Sequence, residues 1–213
     1  MSSRPRTNMS SPALARAVEL VVHRGPHRVL DGVSETLCQG EVVAVMGENG
    51  SGKTTLIEAF AGLLPLRSGD VIWEEYGNSI VVRDSKGRRN QPPPMGLTLQ
   101  KGGVCGEETI IERISVSLSV AGIEHSDGQI MELLSHWGLE HRANDSLAHL
   151  SGGLRRRVAI LGGLAPAALS NSPLVVLLDE PSEGLDDSAK DILRSWIRTL
   201  SSRNHAILMA THD

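Results

Sequence analysis

A chain of 213 residues, 40% of them hydrophobic, is long enough to bury one good core and sets an expectation of one or two domains. Its net charge of −4 leaves no dominant basic surface, which argues against nucleic acid as a partner. The only cysteines, Cys38 and Cys105, lack metal-ligand spacing and read as small buried hydrophobes in a reducing compartment, and with aromatics at 2% the packing must rest on Leu, Val, Ile and Ala.

Residues 1–17 carry Arg4, Arg6 and Arg16, several serines and no acid. Without an apolar core they are not a secretory signal, and they are expected to form a disordered tail. Short strands are predicted over residues 18–22 and 29–37. Residues 41–46 are a β-branched apolar run that reads as a buried strand. Next comes Gly47-Glu48-Asn49-Gly50-Ser51-Gly52-Lys53-Thr54, which fits G-x-x-x-x-G-K-[ST], and then Thr55 and a segment with Leu56, Ile57, Phe60, Leu63 and Leu64 at helical spacing. Strand, glycine loop and helix form the context that a phosphate site needs. Glycines let backbone N–H groups turn inward around phosphate oxygens, and the helix N-terminus adds the positive end of a dipole. Lys53 is placed to reach the β- and γ-phosphates, and the Thr54 hydroxyl to ligate Mg²⁺.

Further strands are predicted over residues 70–73 and 79–83, giving an antiparallel portion beside a parallel core. Residues 84–94 are charged and then proline-rich, ending Pro92-Pro93-Pro94, and are expected to form an exposed loop. After Met95-Gly96-Leu97-Thr98-Leu99 stands Gln100. Helices are predicted over residues 107–122 and 127–137. Leu150-Ser151-Gly152-Gly153 then opens another helix, a second anion site in a chain that already has a complete one, and this suggests a second copy of the protein. The run Arg155-Arg156-Arg157 on that helix reads as a solvated face, with positive potential near a partner's nucleotide as the alternative. Leu174-Val175-Val176-Leu177-Leu178 is an uninterrupted apolar run of the kind expected for a central parallel strand, and it ends in Asp179 and Glu180. Asp179 at such a strand end lies where nucleotides bind in open α/β sheets and is placed to hold Mg²⁺. Glu180 is placed to polarise the attacking water. Residues 205–210 read as one more buried strand, with Thr211-His212 at its C-terminal end.

Taken in order, Gly47 to Thr54, Gln100, Leu150 to Gly153, Leu174 to Glu180, Ser182-Glu183-Gly184-Leu185-Asp186 and His212 resemble the Walker A motif, Q-loop, signature motif, Walker B motif, D-loop and switch histidine of ATP-binding cassette (ABC) ATPases. The resemblance runs from about residue 18 to the last residue. It implies an α/β fold, a P-loop NTPase core of mostly parallel sheet flanked by helices, with an antiparallel β portion and an α-helical subdomain over about residues 101–150. It further implies a head-to-tail dimer with a second copy or a homologous ATP-binding subunit, in which Ser151, Gly152 and Gly153 of one chain close over ATP held by Lys53 of the other. Gln100 would touch Mg²⁺ and the attacking water, His212 the γ-phosphate, and Ser182 and Asp186 would lie along the seam between the chains.

The expected activity is Mg²⁺-dependent ATP hydrolysis, driving transport through separate integral-membrane permease subunits from the cytoplasmic, inner face of the membrane. The alternative is a soluble ABC ATPase of assembly, repair or translation; no second cassette or coiled-coil insertion of the sort such proteins carry is visible. No stretch is long enough to cross a bilayer, in keeping with a split organisation. Three departures stand out. Leu154 replaces the usual closing Gln of the signature, His23 or Arg24 stands where an aromatic usually stacks on adenine, and the chain stops at Asp213, which raises the expectation of a truncated or unusually short cassette.

Overall fold

The computed structural model describes residues 11–100 and 106–212. The first half is built on a hairpin of β1 (Ala13–Arg24) and β2 (His27–Cys38), followed by β3 (Val42–Met46) and helix α1 (Lys53–Phe60). Strands β4 (Ser68–Glu75), β5 (Asn78–Asp84) and β6 (Met95–Thr98) come next. Helices α2 (Ile110–Val120) and α3 (Asp127–His136) precede α4 (Gly152–Leu169), β7 (Val175–Asp179), α5 (Asp187–Ser202) and β8 (Ala206–Thr211). Among the described residues there are two four-stranded sheets, an antiparallel one in the order β2-β1-β4-β5 and a parallel one in the order β3-β8-β7-β6.

The helices begin where their first-turn N–H groups find acceptors. Thr109 with Glu112 and Ser126 with Gln129 form reciprocal capping boxes for α2 and α3, so α2 starts three residues later than the hydrophobic spacing predicts. Ser151 and Asp186 cap α4 and α5 by accepting from Leu154 N and Ala189 N. Strand β1 begins well before the predicted span of residues 18–22. Ala15 and Ala17, expected in a disordered tail, are buried in β1, where Ala15 stands opposite Trp73 and Leu37 and Arg16 pairs with Glu74. Alanine carries little strand signal of its own, and here it supplies the small surface that a buried indole needs. Residues 1–10, Cys105 and Asp213 lie outside the described residues.

Strand β7 is buried at all five positions and serves two cores by alternation. Val176 and Leu178 pack with α2, α3, α4 and α5 on one side, while Val175 and Leu177 pack with α1 and the antiparallel sheet on the other. Helix α4 lies so close to β6 that neither Gly163 nor Gly96 has room for a side chain. A Cβ on Gly163 would collide with the Thr98 hydroxyl, and one on Gly96 would collide with the carbonyl of Gly163. Gly163→Ala is therefore expected to destabilise the fold by about 1–3 kcal/mol, overpacking outweighing the better helix propensity of alanine. A drop in the urea midpoint measures this; an unchanged or raised midpoint contradicts the crossing geometry.

Register decides where the functional residues go. Asp179 is level with Ala210, Met46 with Thr211 and Thr98 with Leu178. The four parallel strands therefore end within a residue of one another, and Gly47, Glu180 and His212, which follow β3, β7 and β8, emerge at one edge of the sheet with Gln100, two residues past β6. Ligands of open α/β sheets bind at that edge.

Candidate nucleotide site

The loop between β3 and α1 is shaped by glycine. Gly50 and Gly52 have φ of 84° and 97°, and a Cβ on Gly47 would lie 2.8 Å from Ser51 Oγ. Val29 of the β1–β2 hairpin packs against the loop at Gly52, where an added Cβ would come within 3.1 Å of it. Behind the loop Lys53 is buried, its ammonium donating to the carbonyls of Gly47 at 2.7 Å and Glu48 at 3.3 Å and lying 3.4 Å from Glu180 Oε1.

The two carboxylates at the end of β7 are placed differently. Asp179 is fully buried; its Oδ2 accepts from the Thr54 hydroxyl at 2.8 Å, and its Oδ1 has no hydrogen-bond partner. Glu180 sits just past the strand with φ of 46°, its N–H bonded to Ala210 O at 2.9 Å, a left-handed conformation that costs energy in a non-glycine residue. That turn aims its carboxylate between two nitrogens, Lys53 Nζ on one side and His212 Nδ1, at 2.7 Å from Oε2, on the other. Lys53, Thr54, Asp179, Glu180 and His212 are thus brought into one cluster.

Gln100 is exposed and donates from Nε2 to Glu183 Oε2 at 3.0 Å. Ser151, Gly152 and Gly153 are exposed at the N-terminus of the 18-residue α4, with Ser151 Oγ engaged to its own helix and open space around the Gly152 Cβ position. Leu154 packs partly buried against the core shared by α2, α3 and α5, so the residue that departs from the usual signature has become part of the helix's anchoring. Of the two side chains expected against a base, Arg24 forms an ion pair with Glu58 of α1 and His23 is half-buried.

The expectation of a solvated face for the arginine run is corrected at Arg156. Its guanidinium turns inward and donates to four backbone carbonyls, those of Leu99, Asp179, Glu180 and Glu183. Arg157 pairs with Asp186 at 2.6 Å. Nothing in the local pattern marks which of three consecutive arginines points in, because the acceptors are carbonyls supplied by the segments around the ends of β6 and β7.

An asymmetry organises the site. One chain offers a glycine loop with a buried lysine and a carboxylate pair behind it, and separately an exposed helix start at Ser151–Gly153. No helix among the described residues is long and apolar enough to cross a membrane.

The chain resembles known proteins in sequence and in fold. The chain is 34% identical over 195 residues to the lipoprotein-releasing system ATP-binding protein LolD of Saccharophagus degradans, covering 89% of this chain and 82% of that one. It is 35% identical over 196 residues to the macrolide export ATP-binding/permease protein MacB of Psychrobacter cryohalolentis, covering 87% of this chain but only 27% of that one. Among solved structures, the ATP-binding subunit of an ABC transporter superposes with a TM-score of 0.75 at 26% identity, over 93% of this chain and 79% of that one. An ATP-binding protein of a putative ABC transporter from Pyrococcus furiosus shares the fold with a TM-score of 0.73 at 22% identity, over 93% and 91%. The sequence profile of the ABC transporter family matches residues 30–183, and the chain belongs to that family.

Proposed function

We propose that the chain is the ATP-hydrolysing subunit of a membrane transporter and works as a head-to-tail pair on separate membrane-spanning subunits. The carrying observation is a division within one chain: Lys53, Thr54, Asp179, Glu180 and His212 converge behind the glycine loop, while Ser151–Gly153 stand exposed at the start of α4, outside that cluster. In a pair, each helix start closes on the phosphate held by the other chain. The names of the two relatives, a lipoprotein-releasing system and a macrolide exporter, favour a transporter over a soluble machine.

The residues fit a divalent cation. Asp179 Oδ1 is buried without a partner, and Thr54 Oγ1 lies beside Oδ2, so two hard oxygen donors share one pocket. Thr54 and Asp179 would hold Mg²⁺, with Gln100 reaching it once released from Glu183, and the ion would polarise the phosphate oxygens. The chain's own groups do the rest. Backbone N–H groups of residues 47–55 receive the phosphates, and Lys53 exchanges loop carbonyls for phosphate oxygens. Glu180 orients and deprotonates the water, and His212 holds that carboxylate and contacts the γ-phosphate.

The test is Ser151→Arg, which places a bulky side chain at the outward helix start without touching the phosphate loop. ATP binding by the isolated chain is expected to stay within about twofold, while ATP-driven pairing and turnover fall at least tenfold, roughly 1.4 kcal/mol or more of lost association. Light scattering with and without ATP reads this directly. Pairing and turnover that survive the substitution would mean that Ser151 is not part of a shared site.

A further inference from the structure

Arg156 lies in the second turn of α4, just beyond the exposed Ser151–Gly153 start, yet its guanidinium reaches the cluster behind the phosphate loop. Nη1 donates to Leu99 O at 3.2 Å, at the end of β6 immediately before Gln100. Nη2 donates to Asp179 O at 3.1 Å and Glu180 O at 2.7 Å, and Nε to Glu183 O at 3.3 Å. The Gln100–Glu183 hydrogen bond closes the ring from the other side. One rigid fork with five donors therefore ties α4 to two chain segments that lie far apart in sequence, the end of β6 and residues 179–183. Burial pulls the guanidinium below its ordinary value, and Glu183, Asp179 and Glu180 oppose that pull.

From these contacts we infer that Arg156 is a positioning residue: it ties the helix start that receives a partner's nucleotide to the backbone carrying Glu180, so that each ATP site senses occupation of the other. The inference rests on the paired-subunit reading above. The backbone of Glu180 is the sensitive point, because its left-handed turn aims the carboxylate and Arg156 holds the carbonyl of that turn. A shift of α4 on engaging phosphate is passed through a 2.7 Å bond to the residue that activates water. Arg157, one position on, pairs with the Asp186 side chain at the start of α5 and supplies the contrasting case.

The experiment compares Arg156→Lys with Arg157→Lys in the full chain, with turnover normalised to bound nucleotide so that misfolded protein does not count. Lysine keeps charge and stem but brings one ammonium where a fork met four carbonyls. Arg156→Lys is expected to lower kcat per bound nucleotide about 30-fold, as a small misplacement of a catalytic group does, with KM for ATP unchanged within about twofold. The Hill coefficient for ATP, which can approach about two for two linked sites, is expected to fall to about one. Arg157→Lys should retain both. Equal losses in the two variants, or an Arg156→Lys protein with wild-type kcat and cooperativity, overturn the coupling. If the wild type neither turns over ATP nor pairs with it, the underlying reading fails and this one with it; where the wild type does both, the comparison of variants bears on Arg156 alone.

Discussion

Glu180→Gln is expected to cut kcat for ATP hydrolysis by about 100- to 1,000-fold while leaving the fold intact and tightening the ATP-bound pair. The amide is isosteric with the carboxylate, so its oxygen can still accept from His212 Nδ1, which lies 2.7 Å from Glu180 Oε2. It cannot take a proton from water, and this removes the base. Loss of one negative charge beside Lys53, 3.4 Å away, also frees the ammonium for phosphate and relieves repulsion between the carboxylate and the incoming anion. Both effects favour binding over turnover, so the variant should accumulate as an ATP-loaded dimer. Steady-state turnover and light scattering of the same sample test the two halves together. A kcat within about threefold of wild type would remove Glu180 from the role of base, since general bases contribute on the order of 100-fold or more.

The cluster around Glu180 was largely legible in the sequence, for a physical reason. Phosphate binding demands glycines at fixed offsets from a lysine, and a central parallel strand demands an unbroken apolar run before its carboxylates. Each demand is met within a short stretch of consecutive residues. The convergence of Lys53, Asp179 and His212 then follows from register alone, because parallel strands that end within a residue of one another deliver their next residues to one edge. The features that sequence reasoning missed depend on distant partners. Ala15 and Ala17 join β1 because Trp73 and Leu37 lie across from Ala15, and Arg16 tolerates its half-buried position because Glu74, 58 residues on, pairs with it. Arg156 turns inward toward carbonyls from residues 99, 179, 180 and 183, none of which a local window contains. Leu154 looks like a defect in the signature until the core it packs against is known.

Lys53→Met should act in the opposite direction from Glu180→Gln, weakening ATP binding by about 100-fold or more. Two charge-assisted hydrogen bonds to phosphate oxygens contribute roughly 1.5–3 kcal/mol each, or about 3–6 kcal/mol together. The full amount is not realised. The ammonium donates to Gly47 O at 2.7 Å and lies 3.4 Å from a buried Glu180 oxygen, so binding exchanges partners instead of creating them. A net loss near 3 kcal/mol corresponds to about 100-fold in Kd. Removing the cation also leaves the buried Glu180 carboxylate with less positive charge beside it, so phosphate meets more repulsion as well as less attraction. The Lys53→Met, Glu180→Gln double variant separates these terms. If the repulsion matters, Glu180→Gln recovers affinity by a larger factor in the Lys53→Met background than in the wild type, a coupling that a double-mutant cycle reads from the Kd values of the wild type and the three variants. Equal factors in the two backgrounds would mean that Lys53 acts on phosphate alone and that its contact with Glu180 has no energetic consequence for ATP.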